Sequence, residues 1–189
     1  IAQDDLLNKL NEYDAILVRS ATTVRKDLMD AAPNLKVIGR GGVGLDNIDN
    51  IDVEYAKSKN ISVFNTPAAS SRSVAELAMA HLFGIVRSLP AVNKAMSLDG
   101  VSDFKALKKS ASKGIELQGK TLGLIGFGRI GRETASIAIG CGMKIIAYDP
   151  YLTEGDIELQ LHPEYNFKHK INVKTVSKEE LLASADFIS

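Results

Sequence analysis

Tryptophan is missing from this 189-residue chain, and cysteine occurs once, at Cys141. A single cysteine excludes an intrachain disulfide and suits a reducing compartment, so a cytoplasmic protein is expected. Between Gly140 and Gly142, after an apolar stretch, Cys141 reads as a small buried thiol and not as a nucleophile. No cysteine–histidine spacing suggests a metal site, so no metal is expected. Neither sign of charge is in excess, with 23 Lys+Arg against 23 Asp+Glu. That balance gives no electrostatic footprint for nucleic acid or an anionic membrane, and neither partner is expected. The one basic cluster, Lys105, Lys108, Lys109 and Lys113, reads as a solvated helix face. No apolar run reaches the roughly 20 residues of a spanning helix. The chain opens at Ile1 with polar "AQDDLLNKLNEY", which carries no signal-like region. What remains is a globular composition, 45% hydrophobic, long enough for one large domain or two small ones.

The stretch "TLGLIGFGRIG", Thr121–Gly131, places glycines at 126, 128 and 131 in the spacing G-x-G-x-x-G. Alone that spacing is a weak signal, and its surroundings decide what it means. Upstream, Thr121 to Ile125 is a short apolar run, as in a buried parallel strand. Downstream, Arg129 to Gly140 carries Ile130, Ala135, Ile137, Ala138 and Ile139 in a mostly helical pattern. "KIIAYD", Lys144–Asp149, then reads as a second strand that ends in a carboxylate. Strand, glycine turn, helix and strand fit the roughly 30 residues of a βαβ unit. Gly126 permits the turn, Gly128 admits a pyrophosphate, and Gly131 lets helix pack on strand. The helix N-terminus offers free N–H groups to the anion. Asp149, 18 positions after Gly131, is placed to accept from both ribose hydroxyls and to repel a 2′-phosphate. No Arg or Lys follows it in Pro150–Thr153. NAD is the expected cofactor, and a plain glycine turn in an α/β domain is the alternative.

The same alternation runs earlier in the chain. "DLLNKLNEYD" reads as a helix, "AILVRS" as a strand, "VRKDLMDAA" as a helix stopped near Pro33, and "LKVIGR" as a strand. "VEYAKSK" follows as a helix and "ISVFN" as a strand. Alternating elements predict an α/β chain with mainly parallel, doubly wound sheets. From Ser70 a long helix is expected, with Ser73-x-x-Glu76 as a capping box and Pro90 ending or kinking it. Residues 94–118 are polar and basic, with a helix only around Phe104 to Lys109. Near the end, Asn172 to Val176 reads as a strand, and Ser177-x-x-Glu180 caps a short helix to Ala183. The expected division is 1–69 and 70–189, with a ligand cleft between.

Two further features lie at strand ends, where open α/β sheets bind ligands. Arg19-Ser20 closes one strand, and "GRGGVGLDNID", Gly39–Asp49, begins at the end of the next. Arg19 can pair bidentately with a carboxylate or phosphate. Gly42-Val43-Gly44 offers consecutive N–H groups, suited to an anion nest. Either feature alone reads equally well as a surface arginine or a glycine turn. Together, beside a dinucleotide unit, they favour a small anionic substrate.

These segments resemble the D-isomer-specific 2-hydroxyacid dehydrogenases. "ILVRSATTV", "VIGRGGVGLDNID", "VFNTPAASSRSVAELA", "LQGKTLGLIGFGRIGRE" and "MKIIAYDPY" stand in that family's order and spacing. The resemblance is weakest around residues 94–113 and 152–170. It implies a flavodoxin-like substrate domain and a Rossmann NAD-binding domain, both incomplete here. It further implies that Arg19, Ser20, Gly42, Val43 and Gly44 meet the substrate, and that Val43 also lies against the nicotinamide. Asn65 and Ser73-Val74 would line the hinge and the nicotinamide side. Gly126, Phe127, Gly128, Arg129, Ile130 and Gly131 would hold the pyrophosphate, and Asp149 the adenosine ribose. A homodimer through the nucleotide domain would be usual. The RSAT run and GRGGVGLDNID tilt the substrate toward 3-phosphoglycerate, oxidised to 3-phosphohydroxypyruvate on the route to serine. Another 2-hydroxy acid such as lactate or glycerate, or a non-catalytic NAD-sensing role, are the alternatives.

The family's catalytic Arg, Glu and His follow a strand like "ADFIS", at which this sequence stops, so no catalytic residue is assigned. His81 reads as a helix-face histidine, His162 and His169 as solvated, and Glu76 as structural. Residues 1–189 alone are expected to show no turnover.

Overall fold

A computed structural model of the chain describes residues 3–43 and 50–189. They divide into two compact units, Ile1–Ser70 and Ser71–Ser189. Unit 1 starts with α1 (Gln3–Lys9) and a single 3-10 turn, Leu10–Glu12. Then come β1 (Ala15–Val18), α2 (Lys26–Asp30), β2 (Val37–Arg40), α3 (Val53–Ser58) and β3 (Ser62–Asn65). The strands pair in parallel in the order β1-β2-β3, with Leu17, Gly39 and Phe64 in one row. The core gathers Val18, Ile38, Leu28, Met29, Ile51 and Ala56. On the other side of the row, Leu17 (79% exposed) and Phe64 (49% exposed) fold over Gly39. A Cβ at Gly39 would lie 2.5 Å from Leu17 and 2.7 Å from Phe64, so the missing side chain is what lets these two close over the strand. Asp52 caps α3 by accepting from the Tyr55 N–H at 3.0 Å.

Unit 2 begins with α4 (Ser71–Val86), α5 (Leu89–Asp99) and α6 (Phe104–Ala111). β4 (Thr121–Ile125), α7 (Arg129–Gly140) and β5 (Lys144–Tyr148) follow as the expected βαβ unit. An antiparallel hairpin of β6 (Glu154–Gln160) and β7 (Lys168–Lys174) comes next, then α8 (Lys178–Ser184) and β8 (Phe187–Ile188). The parallel sheet runs β5-β4-β8, so the glycine-bearing strand is central. Its core joins Leu122, Leu124, Phe127, Ala135, Ala138 and Ala147 to Met79 of α4 and Ile157 of β6.

The parallel α/β architecture is as expected, and Ser177 does accept from the Glu180 N–H at 3.1 Å to cap α8. Three local expectations are corrected. α4 begins at Ser71, and Glu76 pairs with Arg72 one turn away at 3.0 Å instead of closing a capping box with Ser73. Near Pro90 the chain breaks as expected: α4 ends at Val86, four residues before the proline, and α5 is bent 59° from it. Ser88 takes a left-handed conformation (φ 51) that turns the chain, and Pro90 sits in the first turn of α5, where no N–H is needed. The polar stretch after Asp149 is the β6–β7 hairpin, so the strand expected at 172–176 begins earlier, at Lys168. Cys141 is half-buried, at the C-terminal end of α7. Among the described residues no single helix is long and apolar enough to cross a membrane.

Gly123 on the central strand leaves no room for a side chain. A Cβ there would lie 2.8 Å from Leu181 and 2.9 Å from Ala185, under α8. Gly123→Val should destabilise unit 2 by about 1–3 kcal/mol through overpacking. A thermal melt of the variant should show the lowered midpoint.

Candidate functional site

The first group of candidate residues forms where β4 gives way to α7. Gly126 adopts φ +100, a region that side-chain-bearing residues avoid, and its N–H donates to the Tyr148 carbonyl at 2.8 Å. Phe127 is then held at both ends of its backbone. Its N–H donates to Asp149 Oδ2 at 2.8 Å, and its carbonyl accepts from Arg132 Nε at 3.0 Å. Its ring is fully buried, with the Arg132 guanidinium 5.6 Å from the ring centroid. β6 passes close enough that a Cβ at Gly155 would lie 3.0 Å from Phe127 and 3.2 Å from Arg132.

Gly128 precedes α7 and no side chain caps that helix, so the donors of its first turn stay open. A Cβ at Gly128 would meet nothing within 4 Å, whereas one at Gly131 would lie 2.3 Å from the Gly126 carbonyl oxygen. Gly131 is therefore required by packing and Gly128 is not. The exposed, uncapped end suits an anion. Asp149 also accepts from the N–H groups of Tyr151 at 2.9 Å and Leu152 at 3.2 Å through Oδ1. The Phe127 bond above all, then the Tyr151 bond, holds this carboxyl below the usual carboxylate range, with the Arg132 charge adding to them. Three of its roughly four acceptor sites are filled, which leaves one, on Oδ2. Arg129 and Ile130 are exposed on the first turn.

The second group lies in unit 1, at the ends of β1, β2 and β3. The Gly41 N–H donates to the Val18 carbonyl at 2.9 Å, and the Gly42 N–H turns back to the Arg40 carbonyl at 2.9 Å. That corrects the anion nest expected at Gly42, because its donor is spent inside the loop. From β3, the Asn65 side-chain amide donates to the Val43 carbonyl, and the Thr66 N–H to the Gly42 carbonyl at 3.1 Å. Asn65 is thus a pin for the glycine loop. Arg19 and Ser20 are exposed, with the Arg19 stem against Gly41, where a Cβ would stand 3.4 Å from Cγ. The Arg40 guanidinium covers Gly42, where a Cβ would lie 2.7 Å from Nη1. Gly44 lies outside the described residues.

Beneath these loops sits buried Asn50. Its side chain donates to the carbonyls of Arg19 and Thr22 and accepts from Arg40 Nε at 3.1 Å.

Val74 is 41% exposed on α4, in the other unit from Val43 and Asn65. His81 is exposed on α4, His162 accepts from the Glu164 N–H at 3.4 Å, and His169 is exposed beside Phe167. Among the described residues no cluster of His, Cys, Asp and Glu converges to hold a metal ion.

Residues 1–186 match the family described as D-isomer specific 2-hydroxyacid dehydrogenase, catalytic domain. The chain belongs to that family. Among its 2-hydroxyacid dehydrogenase relatives, hydroxypyruvate reductase of Thermotoga maritima is 46% identical over 189 residues, covering 100% of this chain and 54% of the relative. D-3-phosphoglycerate dehydrogenase of Methanocaldococcus jannaschii is 47% identical over 152 residues, 80% of this chain and 27% of that protein. The structure of NAD-dependent formate dehydrogenase from Staphylococcus aureus in complex with NAD superposes with a TM-score of 0.71 at 29% identity, covering 98% of this chain and 50% of that one. The chain spans about half the length of the hydroxypyruvate reductase it matches.

Sequence reasoning missed Asn50, Arg132 and Gly155. Only Gly155 carried a signal, since a lone glycine in an alternating strand marks a close approach. The two family glycines should respond differently. Gly131→Ala must push against the Gly126 carbonyl and should lower the melting temperature. Gly128→Ala should stay within about 0.5 kcal/mol of the parent, as surface substitutions do. Parallel thermal melts of the two variants test this.

Proposed function

We propose that the protein carrying this chain is an NAD-dependent dehydrogenase that oxidises a D-2-hydroxy acid, with 3-phosphoglycerate as the substrate. One observation carries the cofactor half: the uncapped N-terminus of α7 opens beside bare Gly128, one strand away from Asp149. That set fits a dinucleotide. The N–H groups of the first turn, with Arg129 and Ile130 beside them, face the pyrophosphate. The one free acceptor site of Asp149 takes a ribose hydroxyl, and a second hydroxyl would have to displace a backbone donor. Bound NAD supplies the hydride-accepting nicotinamide. Unit 2 holds and orients the dinucleotide, and Val74 contributes an apolar surface on the nicotinamide side.

Unit 1 holds the substrate anion. Arg19 is exposed, and among the described residues no side chain pairs with it, so its planar donor fork is free for a carboxylate or phosphate. Ser20 and the backbone of Val43 and Gly44 complete the contact, with Gly42 keeping the loop low and Asn65 holding it. The M. jannaschii relative supports the phosphorylated substrate. A second reading, hydroxypyruvate reduction, is favoured by the T. maritima relative, which matches over the whole chain. Leu77 and Ile85 of α4, with Leu89 and Leu98 of α5, are exposed and support a homodimer through unit 2.

Asp149→Ala should weaken NAD binding about tenfold or more, since a charge-assisted bond contributes about 1.5–3 kcal/mol. The glycine turn loosens in the same variant and affects NAD and NADP alike, so the ratio of the two affinities is the measurement. An unchanged NAD/NADP ratio by calorimetry would refute the role of Asp149 at the ribose. Arg19→Ala should raise the apparent KM for 3-phosphoglycerate and leave NAD affinity unchanged. Steady-state kinetics with 3-phosphoglycerate, glycerate and hydroxypyruvate then separates the two substrate readings.

A further inference from the structure

We infer that Asn50 is a positioning residue that aims Arg19 at the substrate, an inference that rests on the proposed substrate role of Arg19. The last rung between β1 and β2 is the bond from the Gly41 N–H to the Val18 carbonyl. One residue later the chain leaves the sheet, and the Arg19 carbonyl has no strand partner. The Asn50 amide takes that place. It is 7% exposed and donates to the carbonyls of both Arg19 and Thr22, closing the turn that carries Arg19 and Ser20. Its oxygen accepts from Arg40 Nε at 3.1 Å, which fixes which end of the amide faces the carbonyls. Arg40 extends in turn over Gly42. The backbone of Asn50 is fixed as well, because its carbonyl accepts from the Val24 N–H at 2.6 Å.

One buried amide therefore ties the end of β1 to the glycine loop after β2. With the Arg19 peptide plane fixed, its side chain leaves along Gly41, at the mouth of that loop. A buried network of this kind specifies one geometry because leaving any member unpaired is costly. The sequence repeats the triplet, as Asn47-Ile48-Asp49 and Asn50-Ile51-Asp52. The second copy supplies the buried Asn50, the core residue Ile51 and the cap Asp52.

The test uses the full-length protein with Asn50→Asp, Arg19→Ala and the double variant. Asn50→Asp keeps the acceptor for Arg40 and the shape, and removes the two donations to the carbonyls. It should raise the KM for 3-phosphoglycerate about tenfold, the loss of about one hydrogen bond, with the NAD dissociation constant unchanged. Added to Arg19→Ala it should raise KM no further, because its effect passes through Arg19. Asn50→Ser, which keeps one donor and adds no charge, takes the same measurements if Asn50→Asp does not fold. An equal KM increase with and without Arg19, or a matching loss of NAD affinity, would mark Asn50 as structural and overturn the inference. If Arg19→Ala raises KM and the Asn50 variants do not, this inference alone falls. If Arg19→Ala leaves KM unchanged, the substrate reading falls and takes this inference with it.

Discussion

The candidate dinucleotide site depends on the backbone of one residue, held by a charged side chain at each end. Phe127 gives its N–H to Asp149 and its carbonyl to Arg132. Those bonds fix the turn between Gly126 and Gly128, and the turn sets where α7 begins and where its open donors point. The buried ring secures the same residue from the side, wedged between α7 and β6. Asp149 thus serves the fold before any ligand arrives, and its carboxylate is ionised in an environment of N–H groups that already favours charge.

Much of the fold was legible because its signals were local. β4 stands at Thr121–Ile125 and α7 at Arg129–Gly140, where the apolar run and the helical spacing placed them. The hairpin was not legible, since the seven residues 161–167 between its strands carry no two-residue turn signature and its outer face is charged. Its strand period shows only once Ile157, Leu159, Ile171 and Val173 are seen to share the inner face. Pro90 marked where the long helix breaks but not that a second helix restarts around it, which the left-handed Ser88 turn sets.

The site divides in the same way. The glycines, Asp149 and Arg19 were legible because each needs a particular residue type at a particular strand end. The donor state of the glycine loop was not, because the turn that consumes the Gly42 N–H is made by its own backbone. Asn50 was invisible for a different reason. Two identical triplets stand side by side, and the sequence alone does not single out Asn50 as the amide under the end of β1.

The hairpin's charge arrangement bears on how the molecule behaves in a crowd. On its solvent face β6 presents Glu154, Asp156 and Glu158, and β7 presents Lys174, Asn172 and Lys170 opposite them. Glu158 meets Lys170 at 3.2 Å, and Asp156 accepts from Asn172 at 2.9 Å. A copy of β6 laid along β6 would set carboxylate against carboxylate, and β7 along β7 would set ammonium against ammonium. Like charges so placed repel, which is how sheet edges avoid sticking to one another. Each strand of the ribbon thus repels its own kind, which disfavours the joining of two ribbons through like edges.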